Sequence, residues 1–162
     1  MSKIKVSLRV KIIQAVNKNQ ITEIKDLFLE YARSLDFELC FQDFDKEMAE
    51  LPGDYAPPDG RLFLAELEGE SAGCIALRKF KEGICEMKRL YARPQFRGHN
   101  IGKMLVEKLI SEARQIGYIK MVLDTVPSMQ TAQKLYRSLG FYEIKPYRNN
   151  PVDGAIFMEL IL

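Results

Sequence analysis

The sequence predicts one mixed α/β domain over residues 1–162, in which about four helices flank a central, mostly antiparallel sheet. Segments with helical spacing alternate with short, apolar, strand-like segments in the middle of the chain. Hairpin-like pairs of strands flank this alternating region. The length of 162 residues suits one domain with a sizeable core.

The first part of the chain contains a predicted strand, two helices and a loop. The strand is indicated by apolar residues that alternate with polar ones: Val6, Leu8, Val10 and Ile12. The first helix is indicated by apolar residues three or four positions apart: Ile21, Ile24, Leu27, Phe28, Tyr31 and Leu35. A short second helix over 43–51 precedes a loop over 51–60, where Pro and Gly concentrate. The segments on both sides of this loop are needed to complete one sheet, so it is not a domain linker.

The rest of the chain alternates between strands and helices. A helix over 101–116 has one apolar face and is followed by Gly117, a typical C-cap residue. A second helix over 129–139 ends at Gly140. The predicted strands cover residues 62–67, 72–77, 84–92, 120–124, 141–144 and 155–160, with a turn at 68–70 and a polar loop at 145–154.

Charge and cysteine content exclude several classes of protein. The 24 basic and 22 acidic residues leave a net charge of +2, which indicates neither a nucleic-acid nor a membrane partner. Cys40, Cys74 and Cys85 form no C-x-x-C pair, and the chain has one histidine, so we expect no metal site. No stretch approaches the ~20 apolar residues that span a bilayer. The odd cysteine count and the absence of an apolar N-terminal run predict a reduced, cytoplasmic protein.

The most informative segment joins the predicted strand at 84–92 to the predicted helix at 101–116. It reads Arg-Gly-His-Asn-Ile-Gly-Lys over residues 97–103. A glycine-containing loop at a helix N-terminus presents unpaired backbone N–H groups and the positive end of the helix dipole, which together bind phosphate. The loop is not a Walker A motif, because Met104 stands where Ser or Thr would bind Mg²⁺ and the glycine spacing is one residue short. It also lacks the G-x-G-x-x-G spacing of a dinucleotide-binding fold.

Two motifs in this chain resemble one enzyme family. Residues 90–103 read Leu-Tyr-Ala-Arg-Pro-Gln-Phe-Arg-Gly-His-Asn-Ile-Gly-Lys, and residues 132–141 read Ala-Gln-Lys-Leu-Tyr-Arg-Ser-Leu-Gly-Phe. They resemble the coenzyme loop (Q/R-x-x-G-x-G/A) and the later N-x-x-A-x-x-L-Y-x-x-x-G-F signature of the GCN5-related N-acetyltransferase (GNAT) family. Asn100 stands where the family usually has Gly, and Met129 where it has Asn. Since Asn tolerates left-handed backbone better than other non-glycine residues, we predict a positive φ at Asn100 and unchanged or improved coenzyme affinity in Asn100→Gly.

The resemblance implies an acetyl-coenzyme A-dependent N-acetyltransferase that passes the acetyl group directly to a primary amine of a small molecule or protein. Acetyl-coenzyme A would be the co-substrate, held by the loop backbone at its pyrophosphate and by the preceding strand end at its pantetheine arm. A homodimer is common in such folds. The implied coenzyme-binding residues are Leu90, Tyr91, Ala92, Arg97, Gly98, His99, Asn100, Ile101, Gly102 and Lys103.

Glu86 and Tyr136 are the implied catalytic residues. Glu86 lies on the strand before the loop, where several relatives carry a glutamate that acts as a base toward the amine. Tyr136 lies in the Leu-Tyr of the second motif, where many relatives place a tyrosine near the coenzyme sulfur. A phenol with an ordinary pKa near ~10 stays protonated and can protonate the leaving thiolate. The alternatives are a strand glutamate that faces solvent or pairs with Lys88 or Arg89, and a packed helix tyrosine.

The resemblance places the acceptor pocket among loops that offer four candidate side chains: Asp54, Tyr55, Tyr147 and Arg148. Arg148 would bind a substrate carboxylate and Asp54 an ammonium group. The departures at Asn100 and Met129 motivate an alternative function, a non-catalytic acyl-coenzyme A-binding sensor. A phosphate-binding loop of another fold is a third alternative.

Overall fold

The computed structural model describes residues 9–39 and 43–162. Seven strands form one sheet in the order β1-β2-β3-β4-β5-β7-β6, and only the β4–β5 pair is parallel in this part of the chain. The strands are β1 Val10–Gln14, β2 Arg61–Leu67, β3 Glu70–Lys81, β4 Ile84–Ala92, β5 Lys120–Thr125, β6 Tyr142–Ile144 and β7 Ile156–Ile161. The α-helices are α1 Lys18–Ser34, α2 Phe44–Glu50, α3 Ile101–Ile116 and α4 Gln130–Ser138. The predicted mixed, mostly antiparallel sheet with about four helices is confirmed.

Individual elements agree with the sequence patterns except at a few points. The helix predicted over 101–116 has the bounds of α3. The strand predicted over 72–77 is longer, because β3 continues to Lys81. Two short 3₁₀ turns, Gly53–Tyr55 and Pro94–Phe96, were not predicted. Positions 6–8 of the predicted first strand, like Cys40, lie outside the described residues.

Local sequence fixes the ends of the two long helices. The side chain of Asn17 accepts a hydrogen bond from the backbone N–H of Gln20, and the Gln20 side chain accepts one in return from the Asn17 backbone, which forms a capping box at the start of α1. Gly117 ends α3 at φ 107°, a left-handed conformation that suits glycine. None of the described helices is long and apolar enough to cross a membrane.

The sheet separates two apolar cores. One core packs α3 and α4 against one face, where Leu105 and Leu109 are fully buried. The other core packs α1 and α2 against the opposite face, with Leu27 and Phe28 at its centre. Burial of this kind contributes about 1.5–3 kcal/mol for each large apolar side chain. The sheet is therefore covered by helices on both faces.

The parallel strands β4 and β5 diverge after a short paired region. Their register runs only from Ile84↔Lys120 to Glu86↔Val122, although β4 continues to Ala92 and β5 to Thr125. A register shift on the β3 side of β4 accompanies Arg89, whose φ is 60°. This bulge bends β4 away from β5. Beyond Glu86 and Val122 the two strands no longer pair with each other, and a slot opens in the middle of the sheet.

Candidate active site

A groove of about 810 Å³ fills the slot between the diverging strands. Its walls come from the end of β4, the start of α3, the end of β5 and one side of α4. Tyr31, Phe37 and Leu39, from α1 and the segment after it, close the groove on the other face of the sheet. A groove of this size suits an elongated ligand that passes from one side of the sheet to the other.

The start of α3 forms one end of the groove. Gly98 has φ 88° and Asn100 has φ 58° and ψ 28°, so the predicted left-handed conformation of Asn100 is confirmed. The Asn100 side chain does not cap the helix, and the first turn of α3 contains no acidic residue. The N–H groups of this turn are therefore available to an anion, and the helix dipole adds positive potential. This end of the groove fits a pyrophosphate group.

The middle of the groove fits an extended, amide-containing arm. The backbone of residues 90–92 borders it opposite Thr125, where the two strands no longer pair. The Thr125 hydroxyl is buried without a hydrogen-bond partner among the described residues, and a buried polar group of that kind favours a bound ligand. Nine of the ten predicted coenzyme-binding residues line the groove, and His99 is the exception. Their contact with a coenzyme stays a prediction, which this placement supports.

Tyr136 lies on α4 and reaches the groove from the α3 side of the sheet. Its side chain is 6% exposed, and it packs against Phe141. Burial raises the pKa of the Tyr136 hydroxyl, and the nearby Tyr31 and Asp124 raise it further. The hydroxyl therefore stays protonated at neutral pH. Tyr31 and Asp124 also line the groove, so polar groups from both faces of the sheet meet here.

Glu86 is not part of the groove lining. Its side chain is 0% exposed, and Arg78 donates to its Oε1 over 2.8 Å. The Tyr147 hydroxyl donates to Oε2 over 2.6 Å, and the guanidinium of Arg148 forms an ion pair with the same oxygen. Both oxygens are thus engaged by three side chains from β3 and the loop between β6 and β7. The catalytic role of Glu86 stays a sequence-based prediction, and its contacts favour an anchoring role.

Tyr147 and Arg148, predicted to contact the acceptor, face Glu86 rather than the groove. The Tyr147 ring packs between Phe80 and Phe157, with ring centroids 5.0 and 5.1 Å away. Burial, and then the neighbouring Arg78, lower the pKa of Arg148 to about 10. These contacts fix the β6–β7 loop across the sheet. The same loop brings Asn150 into the groove, where its side-chain amide donates to Asp124 Oδ2 over 3.0 Å.

Asp54 and Tyr55, also predicted to contact the acceptor, lie outside the groove lining. Asp54 is exposed. Tyr55 is buried in the core beneath α1, and its hydroxyl donates to Glu47 over 2.7 Å. Glu47 also accepts two hydrogen bonds from Arg89, over 2.8 and 3.1 Å. Tyr55 therefore orients the carboxylate that holds the bulged part of β4.

Sequence reasoning did not single out Lys88, Asp124 and Asn150, which all line the groove. Lys88 is only 7% exposed. Burial lowers the pKa of Lys88 to about 7, and the charges of Arg89 and Arg78 act in the same direction. The sequence does contain a signal for Lys88. Side chains two positions apart lie on the same face of a strand, so Lys88 lies on the same face as the candidate Glu86.

The described residues contain no group of three or more His, Cys, Asp or Glu side chains that could hold a metal ion. Cys74 and Cys85 are both fully buried. Burial raises the pKa of Cys85 to about 12 and also raises that of Cys74. Both thiols are therefore protonated at neutral pH and unsuited to act as nucleophiles.

Known proteins resemble this chain in sequence and in fold. A sequence model of the acetyltransferase (GNAT) family matches residues 21–141. An uncharacterised N-acetyltransferase of Schizosaccharomyces pombe is 40% identical over 151 residues, which cover 91% of this chain and 93% of that protein. An acetyltransferase structure from Streptococcus agalactiae has a TM-score of 0.78 at 21% identity and covers 94% of this chain and 98% of that one. A putative acetyltransferase from Salmonella typhimurium, solved with its cofactor acetyl-CoA, has a TM-score of 0.70 at 20% identity and covers 94% and 93% of the two chains.

Proposed function

As a member of the acetyltransferase (GNAT) family, this chain is an acetyl-coenzyme A-dependent N-acetyltransferase, and we propose that it transfers the acetyl group directly to a primary amine with Tyr136 as the proton donor. The amine is carried by a small molecule or by a protein. The observation that carries this proposal is the slot between β4 and β5, where the Tyr136 hydroxyl meets groups from the opposite face of the sheet. The comparisons give no support to a non-catalytic sensor.

Binding of the coenzyme is assigned to backbone groups more than to side chains. The first turn of α3 holds the pyrophosphate through its N–H groups, which explains why Gly98 and Asn100 adopt positive φ there. The edge of β4 at residues 90–92 and the Thr125 hydroxyl hold the pantetheine arm. The bound thioester supplies an activated acetyl group whose sulfur becomes the leaving group.

The state of the two described thiols supports direct transfer. A covalent acyl-enzyme needs a reactive nucleophile in the groove. Neither Cys74 nor Cys85, the cysteines within the described residues, lines the groove, and burial keeps both protonated. In direct transfer the amine attacks the thioester itself, and the leaving sulfur needs one proton. Tyr136 has a buried, protonated hydroxyl in the groove that can donate it.

An acetylation assay on a panel of small amines and peptides, with detection of the released thiol, tests this function. Tyr136→Phe removes the proton donor but keeps the ring that packs on Phe141. We expect kcat to fall by about 10²-fold, while the Kd of coenzyme A, measured by calorimetry, stays within about twofold. Tyr142→Phe is the matched control, because Tyr142 is exposed on β6 and its hydroxyl bonds only with Glu159 among the described residues. A loss of less than tenfold in Tyr136→Phe would refute the role of Tyr136.

A further inference from the structure

Lys88 and Asp124 are the first side chains beyond the point where β4 and β5 separate. The last paired residues are Glu86 and Val122. Because side chains two positions apart point to the same face of a strand, Lys88 and Asp124 follow this pair on one face of the sheet. Both line the groove that Tyr136 also lines. The two residues therefore stand where the slot begins, on the side of the sheet opposite α3.

The Asp124 carboxylate is positioned by the β6–β7 loop. Asn150 donates to Asp124 Oδ2 over 3.0 Å, which orients the carboxylate. No other side chain of the described residues bonds to this carboxylate, so Oδ1 can accept a hydrogen bond from an incoming ammonium group. The loop itself is anchored through Tyr147 and the buried carboxylate of Glu86. Asp124 is half-buried, so a ligand in the groove can reach it. A carboxylate of this kind attracts the protonated form of an amine.

Charged side chains of β3, β5, α2 and of β4 itself act on Lys88. Arg78 of β3 and Arg89 of β4 disfavour its protonated form, whereas Asp124 of β5 and Glu47 of α2 favour it. Burial is the largest effect, and the balance lowers the Lys88 pKa to about 7. A substantial fraction of Lys88 is therefore neutral at physiological pH. A base is most effective when its pKa lies near the working pH.

We propose that Lys88 is the base of this acetyltransferase and that Asp124 holds the acceptor ammonium beside it. The inference rests on the proposed function and names the acceptor half of the same site. It assigns to Lys88 the role that sequence resemblance gave to Glu86, whose two oxygens are engaged by Arg78, Tyr147 and Arg148. It also defines the substrate class, a primary amine that enters as its ammonium ion.

The proton balance is closed by two residues. Lys88 Nζ takes one proton from the ammonium, which frees the nitrogen lone pair. That lone pair forms the N–C bond to the acetyl carbonyl carbon, and the C–S bond breaks with its electron pair on sulfur. Tyr136 donates its hydroxyl proton to this sulfur and recovers one from the acetylated nitrogen. The products are a neutral amide, coenzyme A thiol and protonated Lys88, which releases its proton to water.

The test is the pH dependence of kcat/KM for an alkylamine of the panel, measured with Lys88→Arg and the wild type. In the wild type, the plot of log kcat/KM against pH should have an ascending limb that levels off above a pKa near 7, because Lys88 must be neutral to accept a proton. Arginine keeps the positive charge but does not lose its proton. In Lys88→Arg we expect the limb near 7 to vanish and kcat/KM at pH 8 to fall by about 10²-fold. The remaining rate should rise toward the amine pKa near ~10, because only the neutral amine then reacts.

Three further variants separate the base from a merely structural lysine. Lys120→Arg makes the same change at a half-buried position of β5 and should leave the profile unchanged, since Lys120 pairs only with Glu159 among the described residues. Asp124→Asn should raise KM for the amine by about tenfold or more, with the Kd of coenzyme A unchanged. Glu86→Gln should keep the limb near 7. Loss of that limb in Glu86→Gln together with its retention in Lys88→Arg would overturn the inference and make Glu86 the base.

The inference and the proposed function fail in different ways. If the wild type acetylates no amine of the panel, the proposed function fails. If the wild type is active but Lys88→Arg keeps both the limb and at least a third of the rate, only the role of Lys88 fails. An unchanged KM in Asp124→Asn overturns the ammonium site by itself.

Discussion

Asn100→Ala tests whether the left-handed residue before α3 shapes the coenzyme site. Asn100 has φ 58° and ψ 28°, and its side chain makes no cap hydrogen bond. The substitution therefore acts through backbone preference. Left-handed backbone costs an ordinary L-residue about 1–2 kcal/mol, whereas asparagine tolerates it. This cost appears as lost stability if the loop keeps its shape, or as lost affinity if the free loop relaxes and the ligand must restore it.

The two losses should therefore sum to about 1–2 kcal/mol. If the whole cost falls on ligand binding, the Kd of coenzyme A rises by about 5- to 30-fold. Urea unfolding without ligand measures the lost stability, and calorimetry with coenzyme A measures the lost affinity. Asn100→Gly should lose nothing in either measurement. Asn149→Ala is the control, because Asn149 is exposed and does not have a positive φ. If Asn100→Ala behaves like this control in both measurements, the loop does not depend on the conformation of residue 100.

Two more predictions concern buried charges. Glu86→Gln should lower the free energy of unfolding by about 1–3 kcal/mol in urea titrations, because it leaves the partly buried guanidinium groups of Arg78 and Arg148 without a carboxylate. An unchanged urea midpoint would contradict the anchoring role of Glu86. Lys88→Met should raise stability by about 1–3 kcal/mol at pH 6, because it removes a cation that burial disfavours. Like Lys88→Arg, it should lower kcat/KM at pH 8 by about 10²-fold. The unfolded chain keeps its Lys88 proton up to the ordinary pKa of 10.5, whereas the folded chain loses it near 7, so wild-type stability rises between these values. The advantage of Lys88→Met should accordingly shrink from pH 7 to pH 10, and an advantage that grows over this range would show that burial does not disfavour the cation.

Sequence patterns predict those structural features that depend on residues close together in the chain. The bounds of α3 follow from its apolar period and Gly117, and the conformation of Asn100 follows from the turn that the loop must make. The site on the other side of the sheet depends on contacts between distant segments. Glu86 meets Tyr147 across 61 positions, and Arg89 meets Glu47 across 42. No local period encodes those pairs, so the sequence did not predict that the β6–β7 loop engages Glu86.

Tyr55 illustrates the same difference. Its loop, rich in Pro and Gly, is one of those in which the family resemblance places the acceptor pocket. In the structure the ring is buried edge-on against Phe28, and the hydroxyl is bonded to Glu47. Tertiary packing decides between a surface aromatic and a core aromatic, and composition does not. The division of the chain into strands and helices was therefore easier to predict than the exposure of single side chains.

The side of the sheet that carries Lys88 combines an apolar core with partly buried ion pairs, and this has a consequence for how the enzyme can change. Leu27 and Phe28 lie in the core there, while Arg89–Glu47 and Arg93–Glu30 tie α2 and α1 to β4 and to the residue after it. Ionic pairs require matched partners, whereas apolar cores accept many substitutions of similar volume. On the proposed assignment of this side to the acceptor, a relative can acquire a new amine by exchanging a few charged pairs, while the coenzyme groove at α3 is inherited intact.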